Sequence, residues 1–242
     1  MKFVIIIPAR YRSSRFPGKP LVQICGKSLV RRVWERCVQA MSEMDVYVAT
    51  DDERIATHCT QQGMNVLMTN GSCLTGTDRV YEASLQVEAD VYINVQGDEP
   101  MILPSDIHAV MDMARSSPGA IVNAMCPITV EGDFYSPFVP KVVARPDGRL
   151  LYMSRAAIPS TKSHGFVSAN KQVCIYGFTK QALAAFYAQG RKTVLEEIED
   201  IEILRFLELG FEVKMIPVSG ASLAVDIPED VVRVEAAINA VV

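Results

Sequence analysis

The sequence predicts an α/β fold: a doubly wound, mostly parallel, Rossmann-like sheet in one continuous domain over 1–242, carrying a small extension over 129–178. Three observations predict it. Short, continuous apolar runs recur through the first half, as strands buried on both faces require. Segments with apolar residues at helical spacing separate those runs. Charged and glycine-bearing loops follow the strands directly, where ligands bind in sheets of this kind.

The elements follow in order. FVIII (3–7) reads as a strand buried on both faces. SLVRRVWERCVQAM (28–41) places Leu29, Val33, Cys37 and Ala40 on one helical face, with Ser28 as N-cap. DVYVAT (45–50) is a strand, DERIATHCTQQ (52–62) a helix stopped by Gly63, and NVLMT (65–69) a strand. DRVYEASLQV (78–87) is a helix behind the TGT turn, and DVYINVQGDEP (90–100) is a strand running into a loop. PSDIHAVMDMARSS (104–117) has proline at a helix start and Gly119 beyond its end. AIVNAMCPI (120–128) is a further strand.

The second half is less regular. KVVA (141–144) and LLYMS (150–154) read as a hairpin around PDG (146–148). VCIYGF (173–178) is a strand, and TKQALAAFYAQG (179–190) a helix closed by Gly190. EEIEDIEILRFLELG (196–210) reads as one amphipathic helix through Ile198, Ile201, Leu204 and Leu207. VKMIPV (213–218) returns to the sheet, and PEDVVRVEAAINAVV (228–242) is a terminal helix with Pro228 at its first position. The loops at 8–20, 50–52, 70–79 and 96–101 are therefore expected to share one rim.

Composition narrows the function. A chain of 242 residues, 49% hydrophobic and 21% charged, is long enough to bury a sizeable core. The net charge of −4 speaks against a nucleic-acid binder. Yet from Met1 to Arg36 there are nine basic residues and one acid, Glu35, so a local positive site for a small anion is expected. Six scattered cysteines without a CxxC pair read as free, mostly buried thiols in a reducing compartment. No signal peptide fits and no stretch approaches membrane-spanning length, so a cytoplasmic protein with no membrane partner is expected. The three histidines, His58, His108 and His164, lack metal-ligand spacing and read as surface or satisfied residues.

Four stretches carry chemistry. In IPARYRSSRFPGKPL (7–21) a glycine-containing turn exposes backbone N–H groups, and Arg10, Arg15 and Lys19 add charge-assisted donors. Together they suit a polyphosphate, preferred over a merely solvated basic loop. CGKS (25–28) is no phosphate loop of the Walker kind, because position 21 is Leu rather than Gly. INVQGDEP (93–100) delivers Asp98 and Glu99 past a strand end, with Gly97 open to close ligand approach. Carboxylates opposite a phosphate loop suit Mg²⁺; an acidic turn is the plainer alternative. In AVDIPED (224–230), Asp226 follows a short apolar strand and is either a helix N-cap or a second metal carboxylate. In TGTDR (75–79), Thr77 or Asp78 caps the next helix and Gly76 leaves room for a flat base or a phosphate. Arg79 reads equally as functional or as a surface residue.

These stretches, with SRAAIP (154–159), IYGF and VDIPEDV, resemble in order and over nearly the whole chain the CMP-Kdo synthetases, the 3-deoxy-manno-octulosonate cytidylyltransferases. The resemblance implies a nucleotidyltransferase sheet whose 129–178 extension serves dimerisation, and hence a homodimer. It implies a cytoplasmic enzyme with Mg²⁺ as cofactor and with CTP and an ulosonic acid sugar as partners. The products would be the CMP-sugar and pyrophosphate, for lipopolysaccharide or capsule-type surface glycan. By position, Arg10 and Lys19 match triphosphate-binding residues, and Ala9 with Gly76 frames cytosine and ribose. Asp98 and Asp226 match the two carboxylates that hold Mg²⁺. Gln96, Arg79, Ser154, Arg155 and Tyr176 match the sugar-acid side, with Gln172 and Glu202 also at sugar-side positions, and Lys141 matches a lysine near the reacting centre.

The sugar side departs from the family pattern. The chain reads QVCIYGF where the family reads HLGIYGY, which puts Gln172 in place of a sugar-contacting histidine. It reads Glu202-Ile203-Leu204-Arg205 where the family reads E-Q-L-R, so a polar contact becomes apolar. A different acid sugar, an amino-Kdo or a sialic-like ulosonate, is therefore the alternative acceptor. The non-enzyme alternative is a silent nucleotide-binding paralogue.

Overall fold

The computed structural model describes all residues except Ser14, Ala221 and Val242. The first half alternates as the pattern predicts. It runs β1 (Phe3–Ala9), a small hairpin β2 (Gln23–Ile24) and β3 (Lys27–Ser28), then α1 (Leu29–Ala40), β4 (Val46–Thr50) and α2 (Glu53–Gln61). It continues through β5 (Asn65–Met68), α3 (Gly76–Ser84), β6 (Val91–Val95), α4 (Pro104–Ser116) and β7 (Ile121–Pro127). The extension contributes α5 (Glu131–Tyr135), β8 (Lys141–Ala144) and β9 (Leu150–Ser154). The chain then forms β10 (Asn170–Phe178), α6 (Lys180–Tyr187), α7 (Val194–Glu199), α8 (Ile203–Glu208), β11 (Val213–Pro217) and α9 (Asp230–Val241).

The main sheet has the order β11-β7-β10-β6-β1-β4-β5. Pairing is parallel throughout except at β10, which runs antiparallel to both neighbours, β6 and β7. Off this path, β8 pairs antiparallel with β10 and with β9. Successive strand side chains point to opposite faces, and β1 uses both: Phe3, Ile5 and Ile7 join one core with α1, α2 and α4, while Val4 and Ile6 join another with α3, α6 and α8. That two-sided burial is what the continuous apolar run FVIII requires.

Several boundaries follow local chemistry. Ser28 caps α1 as expected, its hydroxyl accepting the Arg31 N–H at 3.4 Å. The cap of α3 is Thr75 rather than Thr77 or Asp78. Its hydroxyl accepts the Asp78 N–H while the Asp78 carboxylate accepts the Thr75 N–H, a reciprocal capping box. The helix expected over 196–210 is broken: α7 ends at Glu199, Asp200 is left-handed at φ 50° and ψ 49°, and α8 begins at Ile203. The strand expected before Asp226 is absent, since residues 222–226 carry no regular structure, and the terminal helix begins at Asp230, not at Pro228.

The six cysteines are free; Cys37, Cys59 and Cys126 are buried and the other three half-buried. His58 meets the Ser28 hydroxyl at 2.8 Å and His108 the Ala40 carbonyl at 2.7 Å, the satisfied roles expected of them. No helix among the described residues is long and apolar enough to cross a membrane.

Candidate active site

Three of the four rim loops expected from the sequence close around one pocket of about 290 Å³, beyond the carboxyl ends of β1 and β6. The basic loop leaves β1 through Pro8, Ala9 and Arg10, all of which line it. Gly18, at φ 72°, turns the chain back against the Tyr11 ring, and its N–H reaches the Tyr11 carbonyl at 2.9 Å. That turn starts the short 3-10 segment Lys19–Leu21. The Lys19 ammonium thereby meets Asp98 Oδ2 at 3.1 Å, the Val225 carbonyl at 2.9 Å and Asp226 Oδ1 at 3.9 Å. Arg15 approaches Asp226 Oδ1 at 3.6 Å.

Asp98 and Asp226, distant in sequence, are thus neighbours; the Val225 N–H donates to the Asp98 carbonyl at 2.9 Å. Asp98 Oδ1 is buried and has no hydrogen-bond partner among the described residues. A buried carboxylate oxygen left unbonded is costly, and a cation relieves that cost. Two converging carboxylates beside a phosphate-type loop fit Mg²⁺, which takes one or two protein carboxylates and completes its shell with water and substrate phosphate. Behind them lies Glu99, buried and accepting the Cys174 N–H at 3.2 Å. Burial, with the charge of Asp98, pushes its carboxyl up to about 7. Gly97 serves the protein's own backbone, because a Cβ there would stand 3.0 Å from the Pro8 carbonyl.

The opposite wall is α3 with the α7–α8 elbow. Glu202 sits on the N-terminus of α3, accepting from Gly76 N at 3.1 Å, Thr77 N at 2.8 Å and the Thr77 hydroxyl at 2.5 Å. Burial raises its carboxyl above the usual range, against those bonds. Arg79 is buried, tied to Asp51 at 3.1 Å and to the Thr69 hydroxyl, and lines the pocket with Gln96. Beneath them, fully buried Arg205 grips Glu196 through two bonds of 2.6 and 2.7 Å, reaches Asp78 at 3.3 Å and stacks on Phe186 at 3.5 Å.

The pocket therefore gathers Ala9, Arg10, Arg15, Lys19, Gly76, Arg79, Gln96, Asp98, Glu202 and Asp226. It leaves out Lys141, Ser154, Arg155, Gln172 and Tyr176. Lys141 is buried and donates to the Ser136 and Arg155 carbonyls at 2.8 and 2.5 Å; burial and the Arg155 charge lower its pKa. Ser154 Oγ and Arg155 N donate to Glu199 at 2.6 and 2.8 Å, and the Arg155 guanidinium spans the Glu199, Pro137 and Asp200 carbonyls. Gln172 donates to Asn123 Oδ1 at 3.0 Å, and Tyr176 is buried against Phe178. Ile203 is likewise buried, away from the lining.

Sequence reasoning missed Glu196, Arg205, Lys192 and Asp200. Glu196, Lys192 and Asp200 line the pocket, and Arg205 supports its floor.

Comparison with known proteins finds relatives over nearly the whole chain. The model of a family described as cytidylyltransferase matches residues 4–216. A 3-deoxy-manno-octulosonate cytidylyltransferase from Myxococcus xanthus (strain DK1622) is 37% identical over 98% of this chain and 96% of its own. One from Escherichia coli is 37% identical over 97% of this chain and 95% of its own. A solved structure of a CMP:2-keto-3-deoxy-manno-octonic acid synthetase complexed with CTP superimposes with a TM-score of 0.91 at 35% identity, covering 100% of both chains. The fold alone is shared with a 4-diphosphocytidyl-2C-methyl-D-erythritol synthase from Anaerococcus prevotii, at a TM-score of 0.65 and 14% identity.

Proposed function

The chain belongs to the 3-deoxy-manno-octulosonate cytidylyltransferases, and from that premise we propose how its own residues carry the transfer of CMP from CTP to Kdo. The observation that carries the proposal is the convergence of Lys19, Asp98 and Asp226 at the end of the basic loop.

In the proposed reaction the anomeric 2-hydroxyl oxygen of the sugar acid forms a bond to the α-phosphorus of CTP. The bond from that phosphorus to the bridging oxygen breaks in line, pyrophosphate leaves and the hydroxyl proton is lost to solvent. Such transfers need positioning and charge neutralisation more than covalent work by the protein. Arg10, Arg15 and Lys19 hold the β- and γ-phosphates and stabilise charge on the departing pyrophosphate. Ala9 and the Gly76 turn, which Glu202 fixes through its two backbone bonds, frame the nucleoside. Asp98 and Asp226 would hold Mg²⁺, which when bound supplies charge neutralisation at the α-phosphate and alignment of the attacking hydroxyl. Arg79 and Gln96 face the acceptor. Ser154, Arg155, Gln172 and Lys141 shape its side of the site through the bonds they make to Glu199, Asn123 and the loop carbonyls, and Tyr176 through its stacking on Phe178.

The same reading makes the protein a cytoplasmic homodimer that pairs through the extension and whose product feeds lipopolysaccharide-type glycan synthesis. Val130, Tyr135, Phe138, Leu151 and Val167 are all exposed there, an apolar set that a partner would cover. Phe138→Asp together with Val167→Asp is expected to halve the mass measured by light scattering.

The deciding experiment is CTP-dependent pyrophosphate release across a panel of Kdo, amino-Kdo and sialic-type acids. Release with Kdo supports the reading. Release only with another acid moves the acceptor, and none with any acid, despite CTP binding, indicates a silent nucleotide-binding protein.

A further inference from the structure

We infer that Lys192 is a further substrate-binding residue of the pocket, which takes an oxyanion of the substrates in exchange for the Asp200 carboxylate that holds it in place. The inference rests on the pocket being a nucleotide and acid-sugar site. Lys192 and Asp200 both line that pocket, on the wall opposite the basic loop. Their side chains meet at 2.6 Å.

The geometry that creates this pair is unusual. Asp200 lies in the left-handed region at φ 50°, a conformation L side chains rarely adopt and one that collects at functional positions. It is held there from both sides: its N–H donates to the Glu196 carbonyl at 2.8 Å, and its own carbonyl accepts from Arg155 Nη2 at 2.9 Å. This bend ends α7 and turns the Asp200 carboxylate toward Lys192 at the pocket wall.

Arg10 and Arg15 are exposed on the basic loop, while two other cations of the pocket are committed to carboxylates. Arg79 is buried on Asp51, and Lys19 lies between Asp98 and Asp226. The Lys192–Asp200 pair differs because Asp200 is 72% exposed. Lys192 itself is 25% exposed, so it is the open carboxylate that water weakens and that an arriving anion displaces. An ammonium has three donors, and Asp200 takes one. Two groups of the proposed substrates have the required chemistry, the triphosphate of CTP and the carboxylate of the sugar acid.

The test uses the full chain as wild type, Lys192→Ala and Lys192→Arg. Each is titrated calorimetrically with CTP, inorganic tripolyphosphate and Kdo, and assayed for pyrophosphate release. Lys192→Ala is expected to weaken at least one ligand about tenfold, as loss of one charge-assisted hydrogen bond does, with Lys192→Arg restoring most of it. Weakening of CTP and tripolyphosphate supports the inference with the triphosphate as the anion; weakening of Kdo, or a raised KM for it, supports it with the carboxylate.

Unchanged affinities and KM values overturn it while leaving the proposed function standing. A loss that Lys192→Arg fails to restore, with a lowered unfolding midpoint, also overturns it, because that pattern marks a structural role. If the wild type binds tripolyphosphate but turns over no CTP with any acid, the proposed function fails and the tripolyphosphate affinities alone judge Lys192. Binding of none of the three probes by the wild type overturns both. Lys180→Ala, which removes a lysine paired with exposed Glu88, is the control and should change none of these values.

Discussion

The two walls of the pocket spend their charges differently. On the β1–β6 side, Arg10 and Arg15 are exposed, and one oxygen of Asp98 is buried without a partner among the described residues. On the α3–α8 side the lining carboxylates are bonded to the protein, Glu202 to the α3 N-terminus and Glu196 to buried Arg205, and behind the lining Ser154 and Arg155 are bonded to Glu199. The first wall is strongly charged yet incompletely satisfied, as a site prepared for a polyanion must be. The second is a rigid frame with few groups left unbonded. Preorganisation on one side and unmet charge on the other is the division that transfer by positioning asks for.

Substitutions on each wall should therefore fail in different ways. The largest effect is expected of Asp98→Asn: turnover, followed as pyrophosphate release, falls about a thousandfold, while the thermal midpoint stays near that of wild type. A collapse of stability instead would mean that the first wall is also a frame. Arg205→Met should do the reverse. It leaves Glu196 buried without its counter-charge and costs about 3 kcal/mol in chemical denaturation. Next comes Lys19→Ala, expected to weaken CTP binding about tenfold in calorimetry, since it removes one charged donor; unchanged affinity would detach the basic loop from the triphosphate.

The smallest effect concerns pH. Burial raises the Glu202 carboxyl above the ordinary range, so the folded chain keeps a proton there at pH values where the unfolded chain has lost it. This term favours the fold at low pH and is lost as pH rises through the raised value. Glu202→Gln removes it, so the variant's stability, measured by urea titration from pH 4 upward, should decline less with rising pH than that of wild type.

Much of the first wall was legible because its chemistry is contiguous. Lys19 stands behind a Pro-Gly turn, and Asp98 follows a buried strand directly, so local rules place both on the rim. The pairing of Asp98 with Asp226 needed the fold, because the segment before Asp226 has no strand to announce it. The second wall was opaque for a geometric reason. Glu196 and Arg205 are nine residues apart, which on one continuous helix puts them on nearly opposite faces, at about 100° per residue. Only the left-handed bend at Asp200 lets them meet, and periodicity alone gives no sign of it. The reversal of β10 was hidden likewise, since a strand buried on both faces reads the same in either direction.

That reversed strand also says what kind of object the extension is. Asn170 at the start of β10 pairs with Pro127 at the end of β7, and the Ile128 N–H donates to the Ala169 carbonyl at 2.8 Å. The two ends of the excursion touch, so everything between them is the loop of an oversized hairpin. A short turn could join β7 to β10 without altering strand order. The segment is an insertion between β7 and β10, anchored where Val142, Leu150 and Met153 enter the core and Arg155 holds the Glu199–Asp200 bend, so change is tolerated at its exposed outer face and not at that root.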